Sequence, residues 1–284
     1  MLFRSGRPVA VKQLLAPTQN PAGIARFIEE IRTVGQLEHP NIVPIHDVGV
    51  DEQGQIFFVM KHIDGETLED VINKLRAGDP AYLERYTIDA RIEIFLGLLR
   101  ALQCAHAKGV VHRDIKPANV MIGKFGEVVL MDWGVAKILS ESGQGPRSPF
   151  STQQGEIIGT PAYMSPEQAS GNVAAIDHRS DLYGATVLFH ELLACEHYLS
   201  HCKNLPQLMT AIMAESFRYL RLVFIHHPSH PVPPAELLHF IAKGLGKDPS
   251  ERFQSADEMI NELQRIRDGR CRVSCPATLA KRML

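Results

Sequence analysis

The N-terminal part of the chain alternates short apolar runs with polar positions around one stretch of helical period. The strand-like runs are RPVAVKQLL, NIVPIHDVGV and QIFFVMKHI. Between the first two, over residues 21–37, apolar residues recur at three- and four-residue steps, which predicts an amphipathic helix. We therefore expect residues 1–63 to form a small, sheet-rich lobe.

Beyond residue 64 the pattern becomes mainly helical. Apolar residues recur at helical spacing in five long segments, 88–107, 181–194, 205–217, 234–245 and 255–266. The run HRDIKPANVMIGKFGEVVLMDWG contains two short apolar strands joined by a Gly-containing turn, which predicts a hairpin. The polar stretch SESGQGPRSPFSTQQGE predicts a mobile surface loop. Residues 64–269 are expected to form a larger, mainly helical lobe, followed by a short tail at 270–284.

Composition limits the class of protein. With 45% hydrophobic and 22% charged residues, the chain is typical of a soluble globular protein. The 30 basic and 32 acidic residues give a formal charge of -2, which gives no overall attraction to nucleic acid or to an anionic membrane. No apolar run approaches the roughly 20 residues that span a bilayer, and the N-terminus does not have the pattern of a signal peptide. We expect a cytoplasmic protein with no nucleic-acid partner and no membrane segment in this chain.

Cysteines and histidines are the residues that could form disulfides or metal sites in this chain. The five cysteines form no C-x-x-C unit, which favours reduced thiols; they are Cys104, Cys195, Cys202, Cys271 and Cys275. The stretch IHHPSHPVPP contains His226, His227 and His230 but no carboxylate or cysteine. This composition favours a Pro-rich surface connector over a metal site.

The stretch HRDIKPAN groups chemically useful side chains in one turn. It contains Asp114, then Lys116, then Asn119, and Pro117 restricts the turn between them. Such a loop can direct a base, a cation and a metal-binding amide into one space. Asp132 follows the second hairpin strand and offers a further oxygen ligand of the kind that magnesium prefers. This set of groups suits phosphoryl transfer.

At this point the sequence resembles the protein kinase superfamily, in particular the bacterial eukaryotic-like Ser/Thr kinases. The resemblance runs from Val9 to about Arg267, and the motifs that carry it are VAVK, HRDIKPAN, DWG, GTPAYMSPEQ, DHRSDLYGATVLFHELL and KDPSERF. It implies an α+β, bilobal protein-kinase-like fold with a truncated β-rich N-lobe and a mainly helical C-lobe. It also implies ATP and Mg²⁺ as cofactors, and transfer of the ATP γ-phosphate to Ser or Thr hydroxyls of protein substrates.

The resemblance assigns a role to each matching position in the catalytic loop. Asp114 is expected to be the base that accepts the substrate hydroxyl proton, and Lys116 the cation that neutralises the transferring group. Asn119 and Asp132 are expected to share the magnesium ions. Lys116 and the substrate-loop residue Thr160 are typical of Ser/Thr rather than tyrosine kinases.

The ATP site involves further residues on the small lobe. Lys12 is expected to hold the α- and β-phosphates with a glutamate of the first helix as its partner. We choose Glu30 over Glu29, because Glu30 precedes EHPNIV by the family's spacing and shares a helix face with Phe27 and Val34. An ordinary surface ion pair is the alternative for Lys12 and Glu30.

The stretch FFVMKHIDG matches the hinge that reads adenine. By the resemblance Met60 is the gatekeeper, and Lys61 and Ile63 offer backbone groups to the adenine edge. Trp133 replaces the usual phenylalanine of this motif and is expected to pack as a large apolar plug.

Other positions match structural or regulatory residues of the family. Glu167 and Arg252 match an ion pair that anchors the substrate loop, and Asp181 matches the carboxylate that holds the catalytic-loop backbone. Arg113 before the base is typical of kinases that activation-loop phosphorylation switches on. The candidate acceptors are Ser140, Ser142, Ser148, Ser151 and Thr152. Thr152 is the first choice, with Ser151 beside it, and a homodimer would permit autophosphorylation in trans.

The Gly-rich loop that covers the ATP phosphates in this family has no counterpart before Lys12. Three hypotheses follow from the sequence. The first is an active kinase whose start was assigned too late, the second a kinase-like or pseudokinase binding module, and the third an inactive gene fragment. The intact catalytic set favours the first.

Overall fold

The computed structural model describes residues 6–14, 21–133, 161–217 and 230–270. Its first part is a three-stranded antiparallel sheet with one helix. The elements are β1 (Val9–Gln13), α1 (Pro21–Gly35), β2 (Ile45–Val50) and β3 (Ile56–Lys61), and the strand order is β1-β3-β2. The three predicted strands are present, and α1 ends at Gly35 rather than at residue 37.

The register of this sheet decides which side chains face α1. Lys12 lies opposite Phe58 on the neighbouring strand. The ring of Phe58 packs against that of Phe27 on α1, with centroids 5.4 Å apart. Because side chains alternate across a strand, Lys12 and Phe58 project from the same face of the sheet, toward the helix. The sheet therefore directs Lys12 to α1.

A second three-stranded antiparallel sheet contains the predicted hairpin. Its strands are β4 (Gly65–Thr67), β5 (Val120–Gly123) and β6 (Val128–Leu130), in the order β4-β5-β6. The sequence pattern did not predict β4, because its three residues include no apolar side chain. Gly65 is required there, since a Cβ atom would lie 2.1 Å from the carbonyl oxygen of Ile122.

Helices make up most of the remaining described chain. They are α2 (Leu68–Arg76), α3 (Pro80–Arg85), α4 (Ile88–Ala107), α5 (Pro166–Ala169), α6 (His178–Ala194), α7 (Leu205–Ala214), α8 (Ala235–Gly244) and α9 (Ala256–Arg267). The predicted helix at 88–107 is confirmed at both ends. The predicted start of α6 at residue 181 was wrong, because the Asp177 side chain accepts the backbone N–H of Arg179 and begins the helix earlier. The predicted end of α7 at residue 217 was also wrong.

The core of this helical part lies between α4 and α6. Phe95 on α4 stacks on Phe189 of α6, with centroids 4.1 Å apart, and Phe240 of α8 packs edge-on to both. Every residue of α6 from Ser180 to Ala194 is buried. Helix α6 is therefore a rigid support for the loops that pack on its N-terminal end.

The histidine-rich stretch contributes one residue to this core. His230 is only 5% exposed, so the prediction of a surface connector was wrong at this residue, whereas His226 and His227 lie outside the described residues. The Nε2–H group of His230 donates to Leu75 O at 3.0 Å, and Nδ1 accepts from the buried guanidinium of Arg91 at 3.3 Å. In the parts of the chain that the structure describes, no cluster of three His, Cys, Asp or Glu side chains could hold a metal ion.

The structure also bears on the cysteines and on membrane-spanning helices. Cys104, Cys195 and Cys202 are free thiols, whereas Cys271 and Cys275 lie outside the described ranges. Of the described helices, none combines the length and the apolar character that crossing a membrane requires.

Candidate active site

The catalytic-loop side chains surround the carboxylate of Asp114. Lys116 Nζ donates to Asp114 Oδ2 at 2.9 Å. Asn119 is 4% exposed, and its Nδ2 donates to the backbone oxygen of Asp114 at 2.8 Å and lies 3.3 Å from Oδ2. A 3₁₀ turn at Pro117–Asn119 brings these groups together. The loop thus holds one carboxylate oxygen between a cation and an amide.

Asp181 fixes the backbone that leads into this loop. It is 1% exposed at the start of α6, and its carboxylate accepts the N–H groups of His112 at 2.8 Å and Arg113 at 2.7 Å. Arg113 has a φ of 69°, a conformation that costs a non-glycine residue free energy and that the surrounding bonds must maintain.

A third donor to Asp181 is His106 on the last turn of α4, whose Nε2 lies 2.8 Å from Oδ2. Sequence reasoning missed His106. Its position in the predicted helix, six residues before His112, gave no signal of a polar role.

His112 joins the catalytic loop to the end of β6. Burial lowers the pKa of His112 despite the nearby carboxylates, so its ring is neutral. One ring nitrogen, Nε2, donates to Met131 O at 3.0 Å, and the other accepts the N–H of Asp114 at 3.3 Å. The ring packs on Trp133, with centroids 4.7 Å apart. Trp133 is 1% exposed, and its indole N–H has no hydrogen-bond partner among the described residues.

Lys12, Glu30 and Asp132 meet where the two sheets approach each other. Lys12 Nζ lies 2.6 Å from Glu30 Oε1 and 2.9 Å from Asp132 Oδ1. Burial acts to lower the pKa of Lys12, but the hydrogen bonds and negative charges of Glu30 and Asp132 raise it overall. The ammonium group therefore stays charged in this site.

The buried face of α1 explains why Glu30, and not Glu29, pairs with Lys12. Phe27, Glu30 and Val34 are 6%, 9% and 5% exposed and lie on one face, whereas Glu29 is only half-buried. The structure brings Lys12 to Glu30, and it gives Glu29 no ion pair in the described ranges.

The β5–β6 hairpin places the side chains around Asp114 next to the group formed by Lys12, Glu30 and Asp132. Val120 and Leu130 are paired across β5 and β6, and the N–H of Met131 donates to Asn119 O at 2.9 Å. Asn119 directly precedes β5 and Asp132 lies two residues after β6. Their side chains therefore flank the same end of the hairpin, and Asp132 has a φ of 54° there.

The hinge residues lie at the end of β3. Met60 is half-buried and is paired with Ala10 across the sheet, whereas Lys61 is exposed and Ile63 half-buried. The N–H of Lys61 donates to Pro44 O at 3.1 Å, so this donor is already used within the protein.

A buried ion pair anchors α5 to the end of the helical part. The two terminal guanidinium nitrogens of Arg252 each donate to the Glu167 carboxylate at 2.8 Å, and Ser180 Oγ donates to the same carboxylate at 2.6 Å. Burial acts to raise the pKa of Glu167, but these hydrogen bonds lower it overall. Gln168 Nε2 donates to Arg113 O at 2.9 Å, so the anchored segment also contacts the catalytic loop.

Six predicted residues lie outside the part of the chain that the structure describes. They are the substrate-loop residue Thr160 and the five phosphorylation candidates, Ser140, Ser142, Ser148, Ser151 and Thr152. The described part of that loop begins at Pro161, where His197 Nε2 donates to Ala162 O at 3.1 Å.

His197 gives the stability a specific pH dependence. Burial lowers the pKa of His197 from 6.5 to about 4. The unfolded chain therefore takes up a proton at higher pH than the folded protein, so stability falls as the pH decreases from 6.5 toward 4.

Between pH 7.5 and 5.0, we expect the free energy of unfolding to fall by roughly 1–2 kcal/mol more in the parent than in His197→Gln. Urea unfolding at several pH values measures this. The exposed control His62→Gln should keep the parent's pH dependence, and equal slopes for the parent and His197→Gln would contradict the prediction.

Comparison with known proteins gives a consistent result. The sequence model of the protein kinase domain matches residues 2–263. A probable serine/threonine-protein kinase of Streptomyces coelicolor is 36% identical over an alignment of 276 positions that covers 94% of this chain and 37% of that protein. Serine/threonine-protein kinase PknB of Mycolicibacterium smegmatis is 34% identical over 94% of this chain and 40% of its own length. Serine/threonine-protein kinase PknD of Protochlamydia amoebophila is 30% identical over 96% of this chain and 28% of its own length.

The chain thus spans between 28% and 40% of the length of these curated relatives. The matched region includes both sheets and the helices from α1 to nearly the end of α9. Together, the extent of the match and the α+β architecture show that the chain belongs to the protein kinase domain family.

Proposed function

We propose that this chain transfers the γ-phosphate of ATP to Ser or Thr hydroxyls of proteins. The observation that carries the proposal is the junction at the end of the hairpin. There the Lys12–Glu30 ion pair contacts Asp132, while the Asp114 cluster lies beside the neighbouring strand. The names of the relatives and the presence of Lys116 support Ser and Thr as the acceptors.

The proposed roles in the reaction follow from this arrangement. Asp114 orients the substrate hydroxyl and accepts its proton, and Lys116, 2.9 Å from Asp114, offers positive charge to the transferring group. Asp132, whose side chain is 48% exposed, and the amide oxygen of Asn119 are hard oxygen ligands that fit Mg²⁺. Magnesium, when bound, would neutralise negative charge on the ATP phosphates.

ATP is proposed to bind between the lobes at 1–63 and 64–269. Lys12 would contact the α- and β-phosphates while Glu30 holds its ammonium group in place. Met60, with backbone groups of Lys61 and Ile63, would border the adenine.

The remaining predicted residues are proposed to position these groups. Asp181 holds the catalytic-loop backbone, and the Glu167–Arg252 pair anchors the substrate loop that contains Thr160. A phosphate on Thr152 or Ser151 would pair with Arg113, and a second copy of the chain in a homodimer would add it. We place this activity in the cytoplasm, where ATP is available.

Radiolabelled phosphate transfer tests the function. Purified chain with Mg²⁺ and γ-labelled ATP should label casein, and acid hydrolysis should release phosphoserine or phosphothreonine. If no acceptor is labelled with Mg²⁺ or with Mn²⁺, the proposed activity is wrong. If phosphotyrosine alone is released, the acceptor class is wrong.

Glu30 gives a second test within the ATP site. In Glu30→Gln the amide cannot neutralise Lys12, and the ammonium is expected to turn toward Asp132. A misplacement on the order of 1 Å can cost about 10²-fold in rate, so we expect kcat/KM for ATP to fall by about this factor. The matched control is Glu29→Gln, one residue away, which should keep the parent's kcat/KM. Equal losses in the two variants would show that the glutamate acts only through the net charge of α1.

A further inference from the structure

Helix α5 carries two neighbouring side chains that form bonds to different parts of the protein. Glu167 is held by Arg252 and Ser180 in the core of the helical part. Gln168, the next residue, is half-buried, and its Nε2 donates to Arg113 O at 2.9 Å. Because Glu167 fixes α5 in place, the amide of Gln168 reaches the catalytic loop from an anchored position.

The carbonyl that Gln168 binds belongs to the peptide unit that leads directly into Asp114. A peptide unit is planar, so its oxygen and its N–H group turn together. The oxygen, on Arg113, accepts from Gln168. The N–H group, on Asp114, donates to His112 Nδ1 at 3.3 Å. Two side chains from distant parts of the sequence therefore hold the two sides of this plane, and with it the direction in which the Asp114 side chain leaves the backbone.

The backbone at Arg113 requires this support. Its φ of 69° is unfavourable for a non-glycine residue and persists only where the surrounding structure holds it. Asp181 accepts the N–H of Arg113 at 2.7 Å, and Gln168 donates to its carbonyl. Loss of the bond from Gln168 would let the peptide unit before Asp114 relax toward a less strained conformation.

The other end of the Gln168 amide holds the helix. The Ser165 side chain accepts the N–H of Gln168 at 3.4 Å, and Gln168 Oε1 accepts the N–H of Ser165 at 3.0 Å. This reciprocal pair is a capping box, with α5 beginning at Pro166. The amide oxygen of Gln168 thus caps the helix, whereas its nitrogen binds the catalytic loop.

We propose that Gln168 is a positioning residue for Asp114, which ties the orientation of the base to the anchored helix α5. The inference rests on the proposed function, in which Asp114 accepts the proton of the substrate hydroxyl. Gln168 forms no bond to Lys12, Glu30 or Asp132 among the described residues. Loss of its N–H donor should therefore slow phosphate transfer without weakening the binding of ATP.

Gln168→Glu separates the two roles of the amide. A carboxylate still accepts the N–H of Ser165, but at neutral pH it cannot donate to Arg113 O. A misplacement on the order of 1 Å can cost about 10²-fold in rate, so at pH 7.5 we expect kcat for casein to fall by about 10–100-fold. The KM for ATP should stay within twofold of the parent's. Protonation of the new carboxyl restores an O–H donor, so the ratio of variant to parent kcat should rise several-fold between pH 7.5 and 5.5.

Two further variants serve as comparisons. Gln168→Met has no donor at any pH, so its kcat should fall as far at pH 7.5 and show no recovery in acid. Gln207→Glu makes the same change at an exposed glutamine of α7 that lies three residues after the N-cap Asn204. This matched control should keep the parent's kcat at each pH.

Hydrogen exchange followed by mass spectrometry gives a readout that does not need phosphate transfer. At pH 7.5 the backbone amides of residues 112–116 should exchange several-fold faster in Gln168→Glu than in the parent, while those of α4 keep the parent's rates. If the parent phosphorylates casein and Gln168→Glu keeps its kcat, or loses activity without recovery in acid, the inference is wrong. If the parent phosphorylates no acceptor, the proposed function fails, and equal exchange at residues 112–116 in the two proteins would then overturn the positioning role as well.

Discussion

Replacing Asp114 by Asn is expected to lower the rate of phosphate transfer by about 10²–10⁴-fold, the range that a positioned general base contributes. The amide keeps the size of the side chain and one oxygen for Lys116, but it cannot accept the substrate's proton. Asn119 also donates to the Asp114 backbone oxygen, a bond that the substitution leaves in place. The loss should therefore be one of chemistry and not of folding. Single-turnover transfer of labelled phosphate measures it.

Two measurements accompany this variant. Its Tm, with and without Mg²⁺ and ATP, should match that of the parent, because Lys12, Glu30 and Asp132 are unchanged. The control Asp64→Asn removes an exposed carboxylate that pairs with Lys124, and it should keep the parent's rate. A normal rate in Asp114→Asn would mean that Asp114 is not the base.

Replacing Arg252 by Met is expected to destabilise the protein by about 3–5 kcal/mol, the cost of removing one partner from a buried ion pair. Arg252 and Glu167 have side chains 0% and 6% exposed, so the carboxylate would be left buried with no cation and with the Ser180 hydroxyl still donating to it. For a chain of this size about 1 kcal/mol corresponds to a change of roughly 2–4 °C in Tm, which gives a decrease of roughly 6–20 °C. Thermal unfolding followed by circular dichroism measures it.

The pH dependence separates loss of the pair from loss of packing. In the parent the pKa of Glu167 is lowered, so its stabilising effect is present above the pKa of an unfolded glutamate and is lost as the pH falls below it. In Arg252→Met the buried carboxylate loses its cation, so acid should relieve part of the destabilisation. Arg265→Met, at a surface pair with Glu262, should change Tm little. If Arg252→Met behaved like Arg265→Met, the buried pair would contribute nothing measurable.

Periodicity predicted elements whose apolar pattern is local and strong. Helix α4 is buried over much of its length, including every residue from Ile94 to Leu99, and its long apolar pattern gave both ends. Strand β4 escaped prediction because backbone pairing with β5, and not its own side chains, makes it a strand. The ends of α6 and α7 were misjudged, since the Asp177 side chain sets the first and the apolar pattern of α7 continues past the last helical residue.

The residues of the candidate site also fall into those that the sequence identified and one that it did not. The resemblance named Asp114, Lys116, Asn119 and Asp132 because motif order along the chain carries that information. It also named Glu30, by spacing and by helix face. It did not name His106, whose role arises only from where α4 ends relative to α6.

The sequence by itself determined the family, the order of the lobes and the residues available for chemistry, because those depend on local pattern and on motifs within short stretches. The tertiary structure alone decided which groups meet. Lys12 and Asp132 are 120 residues apart, and only the packing of one sheet near the other sets their ion pair of 2.9 Å.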